Sequence, residues 1–175
     1  IDPRFMCGGE NTKLGQYPWM VLLGQTSPYD EELIWTCGGT LINKWYVLSA
    51  AHCDNVDMVR VGEWKVDSWD VDCYNGMCSE KHQDIEPARL KRHPSYRKLP
   101  SGLTLNDIML IKLKNLVNFN NFVSPICLPD KHERRRLSAF GEPGKEKLLS
   151  YGRPVVVGWG RTMEDTDYDT GIVPS

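Results

Sequence analysis

What most constrains this chain is a succession of short apolar segments, each closed by glycine, proline or a polar turn. Trp19 to Leu23 reads as a strand ended by Gly24, and Gln25 to Glu32, polar with Pro28, reads as a hairpin loop. Trp35 to Ile42 resumes the strand character through Gly38-Gly39, and Tyr46 to Ser49 is a further apolar strand. Met58 to Gly62 alternates as a half-buried strand should, Ile108 to Leu113 is the most apolar of the set, and Val155 to Gly160 is the last. No long amphipathic helix competes with this pattern, and many short strands at such spacing predict an all-β barrel or sandwich. Two polar stretches interrupt it, Asp67 to Asp84 and Asp130 to Gly152, and both read as surface loops. Arg134-Arg135-Arg136 in the second reads as an exposed, protease-sensitive run.

The 175 residues suit one domain. A net charge of −2 gives no electrostatic case for nucleic acid or for an anionic membrane, and no apolar run is long enough to span a bilayer. Six cysteines, an even count in a short chain, suit disulfides in an oxidising compartment. Free thiols or a metal site are the alternative, but there is no C-x-x-C pair and no neighbouring Cys or His pair, which argues against zinc. Ile1-Asp2-Pro3-Arg4 lacks a basic-then-apolar signal pattern, so the sequence is expected to begin after processing or inside a longer precursor.

Two strings carry chemistry. In Leu48-Ser49-Ala50-Ala51-His52-Cys53 a histidine follows an apolar strand and two small residues, with Cys37 upstream in Thr36-Cys37-Gly38-Gly39-Thr40-Leu41-Ile42. A general base needs a rigid seat, because proton transfer depends on hydrogen-bond geometry. In Asn106-Asp107-Ile108-Met109-Leu110-Ile111-Lys112-Leu113 an aspartate stands at the mouth of an apolar strand. A buried carboxylate needs a partner, and an imidazole N–H is a natural one, fixing the histidine tautomer and stabilising the imidazolium of acyl transfer. Taken alone, Asp107 would be a turn or cap residue; beside the histidine string it is the orienting carboxylate.

These strings resemble the chymotrypsin–trypsin family of serine proteases. Gln16-Tyr17-Pro18-Trp19, Val59-Arg60-Val61-Gly62-Glu63, His93-Pro94-Ser95-Tyr96, Val123 to Pro129 and Val157 to Thr162 match further landmarks in order, so the resemblance runs from Gly8 to about Thr162. It implies an all-β, chymotrypsin-like antiparallel double β-barrel with the first barrel nearly complete and the second truncated. Residues 1–175 form one partial peptidase domain on this reading. The first barrel is expected at about 17–113, the connector and loop at 114–152, and the start of the second barrel at 153–175. The catalytic residues it implies are His52 and Asp107, with no cofactor. The small Cys73–Cys78 loop, Gly62-Glu63-Trp64 and Thr12-Lys13-Leu14-Gly15 look like arthropod clip-domain proteases, although no clip module is present in these residues.

The resemblance also implies disulfides. Cys37 with Cys53 would clamp the histidine loop, and Cys73 with Cys78 would close the small loop. Family members often tether a light chain through the connector cysteine, which implies Cys7 with Cys127; free thiols are the alternative. Glu63 resembles the first carboxylate of the family's calcium loop, with Asp67, Asp70, Asp72, Glu80 and Asp84 nearby. The preferred reading is a solvated acidic loop with no metal.

The sequence departs from the family at the nucleophile. The string Gly-Asp-Ser-Gly-Gly-Pro does not occur, and no serine here has a glycine-flanked nucleophile setting; Ser101 before Gly102 reads as a turn residue. Gly8-Gly9 follows Met6-Cys7 rather than a basic residue, the nearest being Arg4. Two functions follow. One is a secreted, extracellular serine endopeptidase domain, inactive as these residues alone, acting on protein substrates or cascade proteases. Serpin-type inhibitors, and a second chain completing the domain, would be its further partners. The other is a non-catalytic protease homologue serving as a binding or regulatory module in an extracellular cascade.

Overall fold

The structure is a computed structural model, and it describes residues 10–66, 70–129 and 155–160. The chain divides into a unit of Ile1–Ile126 with Trp159–Ser175, and a second unit of Cys127–Gly158. Among the described residues all the strands lie in the first unit: β1 Met20–Thr26, β2 Leu33–Asn43, β3 Tyr46–Ser49, β4 Met58–Val61, β5 Cys73–Tyr74, β6 Met77–Cys78, β7 Gln83–Ile85, β8 Pro87–Arg92, β9 Arg97–Lys98, β10 Thr104–Leu105 and β11 Met109–Leu113. There is no helix among the described residues.

Seven strands form one sheet in the order β7-β4-β1-β2-β3-β11-β8, and every pairing in it is antiparallel. Its two outermost strands, β7 and β8, are separated in sequence by Glu86 alone. Consecutive Cα atoms are about 3.8 Å apart, so the two ends of the sheet are held together and the sheet must curl. Glu86 secures that seam: its carbonyl accepts from Lys114 N at 2.9 Å and its carboxylate pairs with Lys114 Nζ at 2.6 Å. Close by, Gln83 donates to Asn118 O at 2.8 Å and accepts from Asn118 N at 2.9 Å.

Alternation along the strands fills the curl. Val21 and Leu23 of β1, Leu41 of β2, Val47 of β3, Val59 and Val61 of β4, and Met109, Ile111 and Leu113 of β11 are all buried in one cluster. The period of two sends these β-branched and aliphatic side chains to one face. Space at the β2–β3 crossing is tight: a Cβ on Gly39 would lie 2.7 Å from Val47 Cγ1 and 3.2 Å from Leu48 O. Glycine there lets β3 approach β2.

Some elements differ from the sequence reading. The first strand does not stop at Gly24 but bulges between Leu23 and Gly24 and runs on to Thr26. The Asp67 to Asp84 stretch is not all loop: β5 and β6 form a hairpin around Asn75-Gly76, both at positive φ (50° and 78°). That is the chemistry of a two-residue hairpin turn. The strand expected at Val155 to Gly160 is not formed. Val155 and Val156 are exposed. The rest of the segment expected to open the second barrel, and Arg134-Arg135-Arg136, lie outside the described residues.

Gly39→Ala is expected to destabilise the barrel by about 1–3 kcal/mol, the usual range for overpacking a filled core, measured by urea denaturation. A loss below ~0.5 kcal/mol would mean that β3 yields without cost and that Gly39 is not required for its approach to β2.

Candidate active site

β3 and β11 are neighbours, with Ser49 opposite Met109. Because they run antiparallel, the end of β3 lies beside the start of β11. His52 follows β3 and Asp107 precedes β11, so one register delivers both side chains to one end of the sheet. Asp107 is then aimed by its neighbours. Asn106 takes a left-handed conformation (φ 54°), which asparagine tolerates better than most residues, and its Nδ2 donates to Ser95 O at 3.0 Å. Ile108 N bonds back to Asn106 O at 2.8 Å, and His93 N donates to Ile108 O at 2.9 Å.

Both carboxylate oxygens of Asp107 face His52. Oδ1 accepts from the His52 backbone N–H at 2.9 Å, and Oδ2 lies 2.7 Å from His52 Nδ1. Thr104 Oγ1 donates to Oδ2 at 3.3 Å. The His52 hydrogen bonds hold the Asp107 carboxyl below its ordinary range, against a smaller opposing effect of desolvation. An ionised carboxylate only accepts hydrogen bonds, so the proton of a neutral imidazole sits on Nδ1 and Nε2 presents its lone pair. The side chain of Asp107 is 22% exposed and that of His52 50%: the carboxylate is sheltered and the imidazole is open.

The histidine loop is fastened on both sides. Cys37 of β2 is disulfide-bonded to Cys53, Ala51 is fully buried, and Ser49 Oγ donates to Gly38 O at 2.8 Å. On the far side Arg92 of β8 pairs with Asp54 at 2.8 Å. Ligand atoms of Cys37, His52 and Cys53 come within 4.8 Å of one another, but both sulfurs are spent in the disulfide and cannot serve as thiolate ligands. Cys73 is bonded to Cys78 across the β5–β6 hairpin. Cys127 is exposed and has no disulfide partner among the described residues; Cys7, its expected partner, lies outside them.

A second polar cluster lies at β4 and β7. Arg60 forks onto Asp84, Nε to Oδ1 and Nη2 to Oδ2, both at 2.8 Å, and stacks over the Trp35 ring with the guanidinium carbon 4.5 Å from its centre. Glu63 Oε2 accepts from Arg60 Nη1 at 3.2 Å. The backbone N–H groups of Trp64 and Lys65 are shared between Glu63 Oε1 (3.1 and 3.2 Å) and Asp72 Oδ2 (3.0 and 3.2 Å). Burial, reinforced by the Asp72 charge, pushes the Glu63 carboxyl up to about 7 in spite of Arg60. The same turn is a junction: Trp64 Nε1 donates to Thr12 O at 3.1 Å, and Trp159 Nε1 donates to Trp64 O at 3.0 Å.

The family model described as Trypsin matches residues 6–173. The chain is a member of the trypsin family. Phenoloxidase-activating factor 3 of Holotrichia diomphalia is 43% identical over 96% of this chain and 46% of its own length. Spaetzle-processing enzyme of Drosophila melanogaster is 40% identical over 89% of this chain and 39% of its own length. CLIP domain-containing serine protease HP8 of Bombyx mori is 38% identical over 94% and 43%. The trypsin-family chain thus spans less than half the length of the curated relatives it matches. Among solved structures, the Drosophila Grass clip serine protease of the Toll pathway superposes with a TM-score of 0.64 at 27% identity, over 79% of this chain and 43% of that one. The fold is chymotrypsin-like, and the relatives are clip-domain serine proteases.

Against that background Glu63 departs from its sequence reading. Glu63 and Asp72 are buried, not part of a solvated loop, although Asp70 is exposed and pairs with Lys81 at 2.9 Å; Asp67 lies outside the described residues. The described surroundings of Glu63 do not fit calcium, which takes six to eight oxygens. Here its oxygens already accept from backbone N–H donors and a guanidinium, while burial and the Asp72 charge favour the neutral carboxyl. The sequence reading also missed Asn106, Thr104 and the Asp54–Arg92 pair. Only Asn106, next to an aspartate and before an apolar strand, carried a signal for its turn.

Because the folded Glu63 holds its proton more tightly than an ordinary carboxyl near 4.5, its stabilising contribution is complete below pH 4.5 and is lost as pH rises through about 7. Glu63→Gln keeps the acceptor and removes the titration. Relative to the parent, its melting temperature is expected to rise as pH goes from about 4.5 to 8. A difference that stays flat over that range would show that Glu63 is ionised throughout.

Proposed function

We propose that this chain forms the base-bearing half of a secreted, trypsin-like serine endopeptidase domain that hydrolyses protein substrates in an extracellular cascade. The observation that carries the proposal is the two-point contact of Asp107 with His52, at 2.9 Å to the backbone amide and 2.7 Å to Nδ1. With Nδ1–H held by the carboxylate, Nε2 is free to take the proton of a serine hydroxyl as it attacks a peptide carbonyl. It returns that proton to the leaving amine, and the second half-reaction repeats the relay with water. Asp107 stays ionised and stabilises the imidazolium without taking the proton.

No serine in these 175 residues has the nucleophile's setting, so the serine and the oxyanion-binding amides are assigned to the remainder of the protease domain, in the same or a second polypeptide. Cys127, exposed on the connector, is the proposed tether to Cys7. Serpin-type inhibitors are proposed partners, since they would address the same serine. The disulfides support export to an oxidising compartment.

The natural protein, purified under native conditions, should react with a fluorophosphonate that labels activated serines and should cleave a peptide ester. Asp107→Asn should lower kcat about 10⁴-fold, since it favours the wrong imidazole tautomer, with little change in melting temperature. Absence of any labelled serine in the native assembly would favour the non-catalytic homologue, in which His52 and Asp107 serve binding alone.

A further inference from the structure

Charge is divided unevenly around the barrel. Residues 54–86 contain nine acids and three bases, whereas residues 87–114 contain seven lysines and arginines and a single acid, Asp107, which His52 occupies. Of those seven, Arg92 is paired with Asp54 and Lys114 with Glu86. Arg89, Lys91 and Lys112 are exposed, and no ion pair to them exists among the described residues.

The register explains why these three gather. Ile111 of β11 is opposite Leu90 of β8, and both turn toward the core. Their neighbours therefore turn outward together: Lys112 stands directly opposite Arg89, and Leu110 opposite Lys91. Like charges directly opposite in a sheet destabilise it. Basic residues on β8 could be ascribed to guarding an exposed edge strand. Lys112 cannot, because β11 lies between β3 and β8. The result is a stripe with cations about 7 Å apart along β8 and about 5 Å apart across to β11.

We propose that the outward face of β8 and β11 binds a linear sulfated polysaccharide, with Arg89, Lys91 and Lys112 contacting successive sulfate groups. Neither strand contributes a large exposed apolar side chain. A protein partner is usually anchored by buried aromatic or aliphatic residues at the centre of its interface, whereas here the outward side chains of the two strands are dominated by the cations, with Leu110 half-buried among them. A linear polyanion needs only spaced cations, and binding would relieve the Arg89–Lys112 repulsion. The site is independent of the catalytic reading.

The test compares the purified protein with Arg89→Ser/Lys112→Ser and with a charge-matched control on other surfaces, Lys13→Ser/Lys81→Ser, using heparin as the probe. Melting curves without ligand establish that all three are folded. The parent and the control should be retained on immobilised heparin. The face variant should elute at lower salt, with the slope of log affinity against log salt reduced by roughly two, about one per contact removed. Soluble heparin should raise the melting temperature of the parent and control but not of the face variant. Equal elution of the face variant and the control would overturn the proposal. So would retention on immobilised polyglutamate with none on heparin, which would reassign the face to an acidic protein segment.

Discussion

The pairing of β3 with β11 is the constraint from which both the core and the site follow. With Ser49 opposite Met109 and Val47 opposite Ile111, Val47, Met109 and Ile111 all reach the core. A slip of one residue would turn those side chains outward. The same slip would carry Asp107 along its strand by about 3.3 Å, more than the 2.7 Å that separates its carboxylate from the imidazole. Hydrophobic burial therefore enforces the His52–Asp107 geometry: the sheet cannot satisfy its core in another register, and in this one the two polar side chains meet. The disulfide to Cys37 and the Asp54–Arg92 pair hold the loop once the strands are in place.

Two carboxyl groups in one barrel show how surroundings divide one chemistry into two behaviours. Asp107 is sheltered but solvated at its rim, and the imidazole and backbone N–H groups favour its charged form. Glu63 has a nearby guanidinium, yet it is enclosed and shares its amide donors with Asp72. Burial and like charge outweigh Arg60, and the neutral form is favoured. The first arrangement suits a group that must remain an anion while a proton moves next to it. The second suits a structural joint, where Trp64 links Thr12 and Trp159.

Much of this was legible in the sequence wherever a side chain faced the core. Tyr46 to Ser49 and the apolar run before Leu113 were plain as short continuous apolar runs, and Met58 to Gly62 by its alternation. β8 was not legible, since as an edge strand it turns charged residues to solvent and only Leu90 inward. The β5–β6 hairpin was masked by acidic composition, although Asn75-Gly76 is a strong turn signal. His52 and Asp107 were identifiable as strings, but their contact depends on a pairing between segments 55 residues apart. The burial of Glu63 and Asp72 was illegible for the same reason: an acidic stretch looks solvated until the fold wraps Arg60, His82 and Trp64 around it.

The chemistry proposed for this site depends on Asp107 fixing the proton of His52. Long-range ¹H–¹⁵N correlation spectra of the imidazoles, recorded at a pH where His52 is neutral, test this directly. The structure predicts that His52 is held as the Nδ1–H tautomer, with Nε2 showing the nitrogen shift of an unprotonated acceptor, and that Asp107→Asn abolishes the preference. An Nε2–H tautomer in the parent protein, or an equal mixture of the two, would contradict it.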